Sequence, residues 1–370
     1  MGNDNEMERI GILTGGGDCP GLNAVIRATV KTAVHDYGIE AVGILDGYDG
    51  LVRNRMVPLS YDDASGILTR GGTILGASNK ANPFRYYEPG EEERGPTDRC
   101  DDCLQNFQDA GLDALVCIGG DGTLSIANGL QEAGIPVVGV PKTIDNDVCE
   151  TDVTFGFDTA VQIVANAIDR LHTTAQSHHR VMVVETMGRY VGWLALVGGI
   201  AGGGDVILIP EIDYQLEHIY EAIRWRRAHE RTFTIVVVSE GVKPPGGEYV
   251  IRGTVEESTD ARRLGGVGAW LADTIEEATD IESRATVLGH LQRGGTPTAR
   301  DRVLATRFGR NAMAAAARGE FGSLVALRGN DIETVPIARV ADRQRSVDPE
   351  SEIVQTARSV GTSFGDRPPE

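Results

Sequence analysis

Lysine is scarce in this chain. It occurs only at Lys31, Lys80, Lys142 and Lys243, and every other cationic side chain apart from histidine is arginine. Two readings fit that bias, a GC-rich genome or adaptation to salt, and composition does not separate them. Positive charge is short overall: 35 Lys and Arg stand against 54 Asp and Glu, a formal net charge of −19. Such a surface repels nucleic acid and anionic membrane, which excludes a general polyanion binder. An anionic ligand must therefore be held by a local basic pocket. Cysteine is sparse and odd in number, at Cys19, Cys100, Cys103, Cys117 and Cys149, so no disulfide framework is expected. The single C-x-x-C at Cys100 has no partner pair and does not follow a strand, which makes it ordinary cysteines at a helix start. No long apolar run exists: the stretch from Trp193 to Pro210 is interrupted by Asp205 and several glycines, too broken for a membrane span. The N-terminal "MGNDNEMERI" is polar and acidic, unlike a secretory leader, and Glu6 breaks the myristoylation pattern. A cytoplasmic protein is expected.

What the chain does have is glycine, 47 residues of it, and 370 residues with a hydrophobic fraction of 41%. That is enough for roughly two domains. Short β-branched runs (Ile10–Thr14, Ala41–Leu45, Ala114–Ile118, Val137–Val140, Val181–Thr186, Val206–Ile209, Thr234–Ser239, Ala285–Leu288, Leu324–Leu327) alternate with helix-period segments (Leu22–Tyr37, Cys100–Ala110, Thr123–Ala133, Thr159–Thr174, Val191–Ile200, Leu216–His229, Ala261–Thr279, Asp301–Ala317). This alternation predicts an α/β protein with mostly parallel sheets covered by helices, in two Rossmann-like three-layer domains. The Pro/Gly-rich segment from Lys243 reads as a surface insertion.

In such sheets, ligands bind at the carboxyl ends of strands. After Ile10–Thr14 comes "GGGDCPG" and then a helix; after Ala114–Ile118 comes "GGDGT" and then a helix; after Val137–Val140 comes "PKTIDND". Two glycine loops that open helices can present backbone N–H groups to a polyphosphate. Neither is a P-loop. Asp121, inside the second loop, would repel phosphate unless a divalent cation lay between them, and Mg²⁺ suits one or two carboxylates plus phosphate oxygens. Asp145 and Asp147 add two carboxylates; one fits a general base and the other a metal anchor, or both belong to an Asx-rich turn. Arginines flank later strands in "SHHR", "ETMGR" and "LGHLQRGG", as bidentate recognition of an anionic substrate requires. His290, beside Gln292 and Arg293, reads as a substrate-positioning group.

"GILTGGGDCPGLNAVIR", "RGGTILGAS", "IGGDGT", "PKTIDND", "SHHR", "ETMGR" and "LGHLQRGG", in this order from about Ile10 to about Arg328, resemble the 6-phosphofructokinase family. The resemblance implies transfer of the terminal phosphoryl of ATP to the 1-hydroxyl of fructose 6-phosphate, in glycolysis, with Mg²⁺. It implies a donor domain over 8–154 plus about 293–335 and a fructose 6-phosphate domain over 155–292 plus the C-terminal segment, with 1–7 and about 349–370 as loosely ordered tails. By resemblance, Gly17, Gly120, Gly122 and Thr123 hold the donor phosphates, Asp121 holds the metal and Tyr48 lines the nucleotide side. Asp145 is the base, and Asp147 supports the metal or the base. Thr143, Met187, Gly188, Glu240, His290 and Arg293 hold fructose 6-phosphate together with Asp145, and Arg189 stabilises the transferring phosphoryl. Arg180 and Arg284 occupy the positions of two arginines that reach in from a neighbouring subunit, which implies a homodimer or homotetramer with shared sites.

The chain departs from the family where many relatives carry an arginine after "RGGT-LG". Lys80 stands in that stretch and substitutes as a point charge. Arg27 and Lys31 lie on the first helix, where bacterial relatives bind effectors, but the other effector positions do not match. Two positions discriminate the donor: a glycine after the metal aspartate accompanies ATP, and a lysine after the proline of "P-x-TIDND" accompanies pyrophosphate. Here they are Gly122 and Lys142, a mixed pair. Volume at position 122 favours ATP, with a pyrophosphate-dependent phosphotransferase as the alternative. NAD kinase shares a "GGDGT" loop but gives no reason for "TIDND", "ETMGR" or "LGHLQRGG". A catalytically silent nucleotide sensor would be indicated by loss of Asp121 or Asp145, and both are present.

Overall fold

The computed structural model describes residues 7–90, 94–254 and 262–369. These residues form two compact units, one of 7–90, 94–158 and 293–344, the other of 159–254, 262–292 and 345–369.

The first unit is built from β1 (Arg9–Thr14), α1 (Leu22–Thr32), β2 (Glu40–Ile44), α2 (Tyr48–Val52), β3 (Met56–Leu59), α3 (Cys100–Asp109), β4 (Ala114–Gly119), α4 (Asp121–Glu132), β5 (Val137–Thr143) and β6 (Phe155–Gly156). The strand order is β14-β13-β5-β4-β1-β2-β3, with β6 on β5; β13 (Ser323–Arg328) and β14 (Asp331–Pro336) return from late in the chain, after α9 (Ala299–Ala317). Its central strands β1, β2, β4, β5 and β13 are parallel, whereas β3 and β14 close the two edges antiparallel. Every residue of β4 and β5 is buried. Continuous apolar strands of this kind need helices on both faces. One face is closed by α1 and α9, which cross so tightly that a Cβ on Gly309 would lie 2.5 Å from the carbonyl oxygen of Val25.

The second unit begins inside α5 (Phe157–His178) and carries β7 (Val181–Thr186), α6 (Trp193–Gly202), β8 (Val206–Leu208), α7 (Leu216–Ala228), β9 (Thr234–Ser239), α8 (Val267–Thr279) and β12 (Ser283–Val287). A short antiparallel pair, β10 (Ile251–Thr254) and β11 (Arg262–Leu264), accounts for part of the expected surface insertion. The four-stranded sheet, order β12-β7-β9-β8, is wholly parallel. The glycines that interrupt the Trp193–Pro210 stretch serve packing: α6 meets the Val164 and Ile168 side chains of α5 at Gly198 and Gly202, where a Cβ would lie 2.6–2.7 Å from the nearest atom.

Three expectations change. The helix expected from Ala261 begins at Val267, because Gly265 and Gly266 adopt positive φ (132° and 103°) and end β11 first. The strand expected at Ala285–Leu288 is shifted to Ser283–Val287. Residues 349–369, expected to be loose, are packed: α10 (Glu352–Ser359) buries Val354 and Ala357, and Phe364 is 1% exposed. Ser363 exchanges backbone hydrogen bonds with Asp205 and Ile207 beside β8, and Arg358 pairs with Asp366 at 2.9 Å. Residues 1–6 of the expected N-terminal tail lie outside the described residues. Burial pushes the Cys19, Cys103 and Cys117 thiols up to about 12.

Candidate active site

In the first unit, three neighbouring parallel strands deliver the sequence's motifs to one edge of the sheet. Thr14 at the end of β1 is level with Ile118 in β4, and Gly119 is level with Pro141 in β5. The glycine loops after β1 and β4 and the "KTIDND" segment therefore emerge side by side. The loops are locked to each other. Gly15 N–H donates to the Ile118 carbonyl at 2.9 Å, and Cβ atoms on Gly15 or Gly119 would lie 2.6 and 2.2 Å from the buried Thr123 side chain. Gly120 is the extended residue ahead of α4. At Gly122, in contrast, nothing lies within 4 Å of where a Cβ would point.

Two cations sit against the first loop. The buried Lys142 ammonium donates to the carbonyl oxygen of Gly17, and the Arg293 guanidinium donates to that of Asp18 at 3.3 Å while covering Gly17. Burial pulls the Lys142 ammonium below the ordinary lysine range; Arg293 adds to the shift, and Asp147 and Asp145 oppose it.

The carboxylates are arranged by groups that sequence reasoning missed. Asn146 adopts φ +54°, its Oδ1 accepts from Thr154 N–H at 3.0 Å, and Thr154 Oγ1 donates to the Thr143 carbonyl at 2.8 Å. Asp145 N–H donates to Thr143 Oγ1 at 3.0 Å. These bonds hold the turn that aims Asp145 and Asp147. Asp147 is buried, its Oδ1 has no hydrogen-bond partner, and its pKa is pushed up to about 7 by burial first and then by Asp145 and Asp121. Among the described residues no cluster of three or more His, Cys, Asp or Glu forms a ready-made metal cage. The arrangement nevertheless fits Mg²⁺, which takes one or two carboxylates and completes its shell with phosphate oxygens and water. Three interacting carboxylates, one with an unsatisfied buried oxygen, lie beside two phosphate-type loops.

The "RGGTILGAS" segment runs along the first loop. Gly16 N–H donates to the Ser78 carbonyl at 3.1 Å, and Thr14 Oγ1 donates to that of Gly76 at 2.6 Å. Buried Asn23 accepts from Ile74 N–H at 2.8 Å and donates to the carbonyls of Arg70 and Gly71. Lys80 follows on this segment with an exposed side chain. Tyr48 is a correction. It is 2% exposed, belongs to the core, and donates its hydroxyl to the Thr123 carbonyl at 2.7 Å. It supports the first turn of α4 from beneath, its hydroxyl engaged there.

In the second unit, Met187, Gly188 and Arg189 follow β7 and Glu240 follows the adjacent β9. Gly188 has φ +126°, and its carbonyl accepts from Gly241 N–H at 3.1 Å and from the Ser239 hydroxyl. A Cβ on Gly241 would lie 2.0 Å from the Arg189 carbonyl oxygen, so the two turns can interlock only through glycine. Glu185, unrecognised in the sequence, is fully buried and accepts from the N–H groups of Gly266 and Gly268 at 2.7–3.1 Å, fixing the start of α8 against β7. His290 is exposed in the turn Gly289–Arg293, after β12. Arg180 and Arg284 lie elsewhere. Both stand at the amino ends of β7 and β12 and share Glu282, at 2.6 and 2.7 Å. At about 3.3 Å per residue, Arg180 lies roughly 23 Å from Met187 along β7, and Arg284, level with Met182, roughly 17 Å. One chain does not bring these arginines to its own "ETMGR" turn.

The chain matches the family described as Phosphofructokinase over residues 9–316. It is 50% identical over 364 residues to "ATP-dependent 6-phosphofructokinase 2" of Clostridium perfringens, covering 97% of this chain and 99% of that protein. It is 53% identical over 342 residues to "Pyrophosphate--fructose 6-phosphate 1-phosphotransferase" of Amycolatopsis methanolica, covering 92% and 97%. Among solved structures, phosphofructokinase from Saccharomyces cerevisiae superposes with a TM-score of 0.75 at 30% identity, over 90% of this chain and 45% of the yeast chain.

Proposed function

The chain belongs to the phosphofructokinase family, and from that premise we propose that it phosphorylates the 1-hydroxyl of fructose 6-phosphate with ATP, as a glycolytic, cytoplasmic kinase. One observation carries the reading: three adjacent parallel strands present two glycine loops and the Asp145 segment at one sheet edge, and the Cβ direction of Gly122 is open. No helix among the described residues is long and apolar enough to cross a membrane.

The chemistry needs positioning and charge neutralisation more than covalent assistance. Backbone N–H groups of Gly17 and of the turn from Gly120 to Thr123 bind the donor phosphates. Lys142 and Arg293 hold the first loop in shape and supply positive charge beneath it. Asp145 accepts the proton of the sugar's 1-hydroxyl as that oxygen attacks. Asp121, backed by Asp147, would hold Mg²⁺, which when bound would neutralise charge on the phosphoryl oxygens. Thr143, Met187, Gly188, Glu240, His290 and Arg293 hold the sugar phosphate, and Arg189 balances charge on the transferring group. Because Arg180 and Arg284 stand at the far end of β7, they serve a neighbouring subunit's substrate in a homodimer or homotetramer. Lys80 contributes as a point charge near the donor.

A second reading has its own support. The lysine at position 142, which the resemblance associates with pyrophosphate, and the relative named for pyrophosphate favour pyrophosphate as donor. A coupled assay of fructose 6-phosphate phosphorylation, with MgATP and with magnesium pyrophosphate, decides between them. Activity with neither donor rejects both.

A further inference from the structure

Asp121 and Ser125 are i and i+4 on α4, so they share one helix face. A late segment, just after the short helical turn Ile337–Arg339, lies over that face. Asp342 N–H donates to Ser125 Oγ at 3.0 Å, and Ser125 Oγ donates to Asp342 Oδ1 at 3.0 Å. Asp342 adopts φ +57°, a conformation that aspartate tolerates better than most residues. Two residues on, Gln344 Nε2 donates to Asp121 Oδ2 at 3.2 Å. The Gln344 backbone also bridges antiparallel to Val148, the residue after Asp147. One residue thus touches both the carboxylate at the start of α4 and the chain leaving the Asp145–Asp147 turn. The segment lies beyond the 9–316 stretch that matches the family.

We propose that Gln344 is a positioning residue for the cation-binding carboxylate: its amide holds Asp121 Oδ2 and thereby presents Oδ1 to the metal. The terminal torsion of an aspartate is broad and roughly two-fold, so a carboxylate without an outer partner samples many orientations. A neutral amide donor fixes the plane without placing a second positive charge beside the cation. The reciprocal Ser125–Asp342 pair anchors the segment one turn further along α4. The inference rests on the proposed function for the identity of the metal site. Loss of an outer partner of a metal ligand typically weakens affinity or activity 10–100-fold; for an exposed bond in competition with water, the lower end applies.

The test compares Gln344→Leu with Asp342→Ala. Mn²⁺ binding is followed by electron paramagnetic resonance in the presence of a non-hydrolysable ATP analogue, and Mg²⁺ activation is titrated in the coupled assay. Gln344→Leu is expected to weaken Mn²⁺ about 10-fold and to raise the half-saturating Mg²⁺ in parallel, with kcat at saturating Mg²⁺ within about twofold of wild type. Asp342→Ala, which loosens the segment without removing the bond to Asp121, is expected to lower the melting temperature and to leave the Mn²⁺ constant unchanged. Unchanged metal constants in Gln344→Leu overturn the proposal. So does equal weakening in both variants, since that would report general loosening, and so does wild-type protein that binds no Mn²⁺ with the analogue. A wild type that binds Mn²⁺ but phosphorylates no fructose 6-phosphate instead rejects the proposed function and leaves the comparison of variants readable.

Discussion

Gly122→Asp separates the cost to the fold from the cost to the donor. With nothing within 4 Å of its Cβ direction, an aspartate fits the unliganded protein. Position 122 is in the first turn of α4, where a carboxylate gains from the helix dipole and glycine is a poor helix former. The melting temperature should therefore hold or rise. The effect on ATP is opposite. If the donor's α-phosphate binds beside position 122, a carboxylate placed about 5 Å from it, at an effective dielectric near 20, is repelled by about 3 kcal/mol per unit charge. That corresponds to roughly a hundredfold loss in kcat/KM. Pyrophosphate has no α-phosphate and should lose much less. Gly122→Ala adds a methyl group without charge and isolates the steric part. The measurement is kcat/KM for both donors in wild type and both variants, with melting temperatures alongside. A folded Gly122→Asp enzyme with near-normal ATP use would refute the reasoning, and a wild type that prefers pyrophosphate would show that Lys142 outweighs Gly122.

Asp145→Asn keeps the size of the base but removes its ability to take a proton, so turnover should fall roughly 10²–10⁴-fold with little change in substrate affinity; near-normal turnover at saturation would remove Asp145 from the role. If Arg180 serves a neighbour, hybrids of inactive Asp145→Asn and inactive Arg180→Ala subunits should regain activity, and verified hybrids that stay inactive would show self-contained sites. Asp147 has a folded pKa raised to about 7, well above the unfolded value of about 3.9, so its stabilising contribution is complete below the unfolded value and is lost as pH climbs through about 7. Asp147→Asn should accordingly raise the melting temperature of metal- and nucleotide-free protein most at pH 8 and progressively less toward pH 4; an equal shift at both would contradict a buried charge. Lys142→Gly leaves the Gly17 carbonyl without its cation and should lower kcat/KM for both donors, whereas improved ATP use would mean that the lysine is a pure selector.

The central strands were legible because their apolar runs are continuous and end in glycine. The antiparallel edges were not: β3 contains Pro58 and β14 is mostly exposed, so neither shows the pattern of a covered strand. Pro141 made β5 look shorter than it is. Its pairing with β13 stops at Gly139, so a residue without an N–H is tolerated where only β4 and β6 remain as neighbours. α10 was missed because Val354 and Ala357 alone carry its buried face, too short a period to read. In the site, the glycine loops and carboxylates were readable as residue types at strand ends. Tyr48 was misplaced because a tyrosine in a glycine-rich turn suits a ligand wall and a core equally, and only packing decides. Asn23, Thr154 and Glu185 act through backbone groups distant in sequence, which no local spacing reveals.

The glycines of "GGDGT" have different physical grounds, and this bears on the mixed donor signature. Gly119 is demanded by the fold, since Thr123 fills the space a side chain would need. Gly120 is nearly so, with the Lys142 carbonyl oxygen 3.3 Å from its Cβ direction. Gly122 alone has no protein atom within 4 Å of its Cβ direction, so the fold itself does not require its bareness. Lys142 is the reverse case. Its ammonium is already engaged with the Gly17 carbonyl, in a position where removal would disturb the first loop whichever donor is used. A residue needed for the loop carries less information about the donor than a residue the protein itself does not require. The weight therefore falls on Gly122, and with it on ATP.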